Sequence, residues 1–162
     1  SSSAASDVYK RQGVKCVDDG AQKKETLPHV PLFEGEGVLW EVPIHLDSLR
    51  SFVYDGCSNI VFPIHTSKRF AHQVSLPGII IQGTATLAFA VRELINREAG
   101  MNPQRLQSLS CRFTGMVLPG TDITVQLEGK DEKEGGTGLF FSVFNRERKR
   151  AISGGYALVR KG

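Results

Sequence analysis

The stretch Gln82-Gly-Thr-Ala-Thr-Leu-Ala-Phe-Ala-Val-Arg-Glu-Leu94 decides how this chain folds. Ala85, Ala88 and Ala90 keep it slim, while Leu87, Phe89, Val91, Leu94 and Ile95 make it apolar nearly all round. A helix apolar on most of its sides is normally buried on most of its sides. It starts through Gln82-Gly83-Thr84. Ala99-Gly100 stops it, because glycine accepts the left-handed backbone that ends helices, and Asn102-Pro103 prevents it from resuming. A central helix over Gln82–Glu98 therefore needs something to wrap it.

The segments downstream can supply a sheet. Leu106 to Val117 places Leu109, Cys111 and Phe113 on one parity. Leu118-Pro-Gly-Thr121 reads as a turn. Asp122 to Lys130 alternates Ile123, Val125 and Leu127 with Thr124, Gln126 and Glu128, the period of a half-buried strand. Glu132 to Thr137 reads as a charged turn, and Gly138 to Asn145 and Ala151 to Arg160 as the last strand pair. Upstream, Gly37 to Leu46 is strand-like, with Pro43 near an edge or strand end because it lacks an N–H. Asp47 suits the N-cap of a helix over Ser48–Tyr54, with Leu49, Phe52 and Val53 on one side and Gly56 at its end. Ser67 suits the cap of a single turn through Phe70-Ala71. Strand, helix, long helix and then an antiparallel set make an α+β domain with one long helix against a sheet.

A length of 162 residues is enough for one domain with one core. The charge of +3, from 20 basic and 17 acidic residues, is close to balanced. It argues against nucleic acid or another polyanion as partner. No run of about 18 apolar residues suggests a membrane span. Cys16, Cys57 and Cys111 are dispersed, which reads as reduced thiols in an intracellular protein. The cytoplasm is the expected compartment, and an organelle is compatible with the same reading. No His/Cys/Asp/Glu group has metal-ligand spacing, so no metal is expected. Gly135-Gly-Thr-Gly138 lies between strand-like runs and is not a phosphate loop. Residues 1–32 are expected to form a disordered or non-native tail or linker, compatible with a preceding domain, and residues 33–162 the folded domain.

A second stretch carries the chemistry. Pro63-Ile64-His65-Thr66, then Phe70-Ala71, Leu76-Pro77-Gly78 and Gln82-Gly83, resembles the MaoC-like, (R)-specific enoyl-thioester hydratase/dehydratase group of hot-dog folds. That group's pattern is Asp-x-Asn-Pro-x-His, a short helix carrying Ala, Gly-(Phe/Leu)-Pro, and His-Gly opening the central helix. Gln82 follows His65 by 17 positions (82 − 65), the spacing the pattern implies. The resemblance runs from roughly Phe33 to Val159. Ile60 stands in the acidic slot, Phe62 in the Asn slot and Gln82 in that of the second His.

The resemblance implies a hot-dog fold, an antiparallel curved sheet wrapped around one long central helix. It also implies reversible hydration of 2-enoyl thioesters, or dehydration of 3-hydroxyacyl thioesters, on a substrate carried by coenzyme A or a carrier protein, with no cofactor. A homodimer, or pairing with a second hot-dog domain, is the implied assembly, because the family's acyl site lies at such an interface. Unpaired sheet edges argue the same way.

Within this frame His65 is the expected proton-transfer residue, since imidazole titrates near neutrality. Gly83 is the expected oxyanion donor, because the first N–H groups of a helix are unpaired and lie at its positive end. Asn59 is a candidate for orienting water or substrate. Gln82, Thr84, Ile60 and Phe62 are candidates for contacting the substrate. Asp55, the nearest upstream carboxylate, is expected at the surface end of a helix. Arg146-Glu-Arg-Lys-Arg150 is expected as a solvated hairpin, with coenzyme A phosphates as its alternative role. Three readings follow: a lyase; a thioesterase, which needs a carboxylate or positioned water near the helix start; and a non-catalytic acyl-thioester-binding half, for which the loss of the acid at position 60 argues.

Overall fold

The computed structural model describes Pro31, Phe33, Gly35 and residues 37–161. The tail expected before the domain, with Cys16, lies largely outside them. Along the chain run β1 (Trp40–Leu46), α1 (Arg50–Ser58), a 3-10 turn (Pro63–His65), α2 (Lys68–Gln73) and α3 (Gly83–Glu98). A second 3-10 turn (Pro103–Arg105) leads to β2 (Leu106–Phe113), β3 (Thr121–Lys133), β4 (Gly136–Phe144) and β5 (Arg150–Arg160). The strands form one antiparallel sheet in the order β1-β3-β4-β5-β2. Pro43 lies on the edge strand β1, as its missing N–H requires.

The core lies between one sheet face and α3. Ile123, Val125 and Leu127, the predicted inner parity of β3, are fully buried beside Leu139, Phe141 and Val143 of β4. Ala85, Ala90 and Leu94 of α3 pack into the same cluster. The helix is not covered all round, however. Thr84, Ala88, Arg92 and Asn96 form an exposed stripe at a spacing of four. Ala88 was expected inside, but the one sheet reaches only the opposite side of the helix.

Three local readings are corrected. The helix α1 begins at Arg50, because Asp47 Oδ1 accepts from Leu49 N–H at 3.0 Å and the turn precedes the helix. It passes through Gly56 and ends at Asn59, whose φ of 56° is a left-handed geometry that Asn tolerates. In β2 the expected burial is incomplete: Cys111 packs against the core and Phe113 reaches Gly83 on the helix side, but at the edge of the sheet Leu109 and Phe113 stay 37% and 40% exposed. Register shifts interrupt its pairing with β5 at Leu106/Ser108 and Ser110/Arg112. The β3–β4 turn is only Glu134-Gly135, with Gly135 at φ 86°, because the ladder continues to Lys133 opposite Gly136.

A smaller apolar cluster supports the candidate site. Ile64, Ala71, Leu76, Ile79 and Ile80 are buried together, backed by Phe62, Phe70, Met116 and Leu118. Ser67 caps α2 as expected, its Oγ accepting from Phe70 N–H at 3.2 Å. Among the described residues no helix is long and apolar enough to cross a membrane, no His/Cys/Asp/Glu group could hold a metal ion, and Cys57 and Cys111 are free thiols.

Candidate active site

Pro63 opens the turn that carries His65. Its ring restricts the preceding residue, and Phe62 is extended at φ −133°. His65 N–H then closes on Phe62 O at 3.1 Å and Thr66 N–H on Pro63 O at 3.2 Å. The turn is stitched to the segment before α3 in both directions. Ile80 N–H donates to Ile64 O at 3.2 Å, and His65 Nδ1 lies 2.8 Å from Ile80 O. A carbonyl only accepts, so Nδ1 carries the proton and Nε2 holds the free lone pair. The imidazole is 4% exposed. Burial lowers its pKa below the ordinary value, while the Ile80 hydrogen bond and the charge of Asp55 push the other way. The result is a neutral imidazole with one nitrogen committed and one available.

His65 and Gly83 line the same cavity of about 40 Å³, walled by Ile64, Leu76, Thr86 and Met116. Gly83 is the first residue of α3. Its N–H precedes any intrahelical acceptor and lies at the positive end of the helix. The Thr86 hydroxyl is turned back to Gln82 O at 3.3 Å. Phe113, from the edge strand β2, lies over Gly83 and completes the wall.

The remaining candidates lie elsewhere. Thr84 is exposed and does not line the cavity. Asn59 is exposed, and its backbone serves to end α1. Ile60 is 39% exposed and does not line the cavity either. Phe62 sets its ring edge-on to His65, with centroids 6.2 Å apart, and so supports the imidazole from outside the cavity. Gln82 is buried rather than solvated. Its Nε2 donates to Ser51 O at 2.9 Å and to the Asp55 carboxylate, which spends the amide behind the helix start.

Asp55 corrects the sequence reading most. It is 8% exposed, because α1 presents Ser51 and Asp55 inward while Leu49, Phe52 and Val53 face out. The i, i+4 spacing of these two polar residues was a usable signal, outweighed by the apolar side chains between them. Phe113 and Met116 were missed as cavity walls, because strand parity gives a face but not which residues of another element the end of the strand meets.

The sequence matches the MaoC like domain family over residues 33–145. The chain belongs to that family. This MaoC-like domain is 36% identical over 108 residues to fatty acid synthase subunit beta of Aspergillus oryzae, covering 65% of the chain and 5% of that protein. It is 32% identical over 94 residues to peroxisomal multifunctional enzyme type 2 of Drosophila melanogaster, covering 58% and 15%. To the peroxisomal enoyl-CoA hydratase 2 of Arabidopsis thaliana it is 26% identical over 98 residues, covering 60% and 30%. The chain thus spans less than a third of the length of each of these relatives.

Among solved structures, the full-length Drosophila melanogaster enzyme superposes with a TM-score of 0.74 at 24% identity, over 87% of this chain and 25% of that one. The (R)-hydratase from A. caviae superposes at 0.64 and 18% identity, over 80% of this chain and all (100%) of that one. The MaoC-like domain therefore has the hot-dog fold, an antiparallel sheet against one central helix.

Proposed function

We propose that this chain is an acyl-thioester lyase, catalysing reversible (R)-specific hydration of 2-enoyl thioesters and dehydration of 3-hydroxyacyl thioesters. One observation carries the reading: a buried neutral imidazole with Nε2 available shares a small apolar cavity with the open N–H end of α3. In the dehydration direction the thioester oxygen accepts from Gly83 N–H, which acidifies the hydrogen on C2. His65 Nε2 takes that proton, the electron pair forms the C2=C3 bond, and the C3–O bond breaks. The imidazolium returns the proton to the departing oxygen, which leaves as water. One base thus serves both ends of the reaction, which suits a site with Ile60 in the acidic slot. The apolar walls keep these interactions strong by excluding water.

The substrate arrives as a thioester of coenzyme A or of a carrier protein, and the protein contributes no cofactor. The working unit is a homodimer or a pair of hot-dog domains. Leu109 and Phe113 support this, since both are exposed on the edge strand beside the cavity. Incubation with crotonyl-CoA and chiral analysis of the product tests the reading, with (R)-3-hydroxybutyryl-CoA expected. Free coenzyme A would indicate a thioesterase. Binding without turnover would indicate the acyl-thioester-binding half, the reading that Ile60 favours by lying away from the cavity.

A further inference from the structure

Gln82 and Gly83 share one peptide group, and that group is held on more than one side. The Gln82 carbonyl and the Gly83 N–H lie in a single plane and point in opposite directions. The carbonyl accepts from Thr86 N–H at 3.1 Å and from the Thr86 hydroxyl at 3.3 Å. The Gln82 side chain, 2% exposed, donates through Nε2 to Ser51 O at 2.9 Å and to the Asp55 carboxylate. Both hydrogens of the amide nitrogen are thereby spent. Ser51 and Asp55 lie one turn apart on α1 and are its two buried residues. One amide thus ties the start of α3 to a second helix. Just upstream, Ile81 N–H donates to Val117 O at 2.8 Å, so the chain is already fixed where it reaches Gln82.

We propose that Gln82 is a positioning residue: gripped by Ser51 and Asp55, it fixes the plane of the peptide group it shares with Gly83, so that Gly83 N–H stays turned toward the cavity that holds His65. The inference rests on the lyase reading and deepens it, because an oxyanion donor helps most when it needs no rearrangement as charge develops. Joining α1 to α3 does not by itself call for an amide. Gln82 Oε1 and Ser51 Oγ, buried beside the contact, find no hydrogen-bond partner among the described residues. An apolar side chain at position 82 would join the two helices without burying such groups. What the amide adds is direction. Two hydrogen bonds to fixed acceptors on α1 hold the side chain in one orientation, and the backbone it springs from is held with it.

The test is Gln82→Leu, which keeps much of the volume and removes both donors. With crotonyl-CoA, kcat should fall by ~10–10²-fold and KM should change little, because the donor is displaced but not deleted. The thioester carbonyl reports the direction of the N–H. Butyryl-CoA isotope-labelled at that carbonyl cannot be hydrated, and its C=O stretch should move to lower frequency on binding to the unaltered protein and move less in Gln82→Leu. An equal shift in the two proteins overturns the proposal, as does a carbonyl whose frequency does not change on binding the unaltered protein. If Gln82→Leu does not fold, Asp55→Ala and Asp55→Asn decide. Asp55→Asn keeps an oxygen that accepts from Gln82, so it should retain a larger share of kcat and of the carbonyl shift than Asp55→Ala. Equal values in these two variants would show that the hydrogen bond is not what positions the peptide, and would refute the proposal. The carbonyl shift needs no turnover, so an inactive protein whose shift depends on Gln82 sinks the lyase reading alone.

Discussion

The ring of Phe113 lies directly against Gly83: a Cβ placed on that glycine would stand 2.9 Å from Phe113 Cδ1. One residue opens the central helix and the other lies on an edge strand, so the helix start is walled by a side chain that is itself partly exposed. Gly83→Ala should destabilise by about 1–3 kcal/mol, since its Cβ would stand 2.9 Å from Cδ1 and 3.1 Å from Cγ of Phe113 and the ring must move from its root. It should lower kcat/KM by ~10–10³-fold, because the methyl group pushes the Phe113 ring into the cavity and the thioester away from the N–H. Gly83→Ala combined with Phe113→Ala should regain part of that loss. Steady-state kinetics on Gly83→Ala, Phe113→Ala and the double variant checks the pair, and equal losses in Gly83→Ala and the double variant would show that the ring is not what the methyl group meets.

His65→Ala should lower kcat by ~10²–10⁴-fold, the usual range for a lost general acid–base residue. Binding of a saturated acyl-CoA should persist, since the apolar walls remain. Stopped-flow turnover and calorimetry measure the two separately. A variant that kept its turnover would remove His65 from the mechanism.

Stability should fall with acid through the same side chain. Burial holds the folded imidazole below 6.5, so between that lowered value and 6.5 the unfolded chain binds a proton that the folded protein does not. The contribution is complete above 6.5 and is lost as the pH falls toward the folded value. Thermal unfolding followed from about pH 8 to about pH 5 should show Tm decreasing across that window. In His65→Gln the decrease should flatten, and an unchanged slope would assign the acid sensitivity to other groups.

Leu109→Lys should weaken self-association, because it sets a charge on the apolar edge of β2 without touching the core. Light scattering should show a larger particle for the starting protein and a smaller one for the variant. An unaltered mass in Leu109→Lys would place the contact on another face.

How far the sequence reaches follows from the range of the interactions involved. The central helix, the alternation of β3, the Ser67 cap and the proline turn beneath His65 were legible because each is written in residues a few positions apart. His65 and Gly83 were legible as a pair through their spacing, although the cavity they share needed the sheet. The burial of Asp55 was not legible. It depends on Gln82, 27 positions away, and on α1 running past Gly56 to turn Ser51 and Asp55 inward. The exposure of Leu109 and Phe113 was hidden too, since the hydrophobic pattern of β2 does not record that the strand lies at the edge of the sheet. Local periodicity records which residues repeat. Which side of an element is covered depends on partners brought from elsewhere in the chain, and only the tertiary structure decided that.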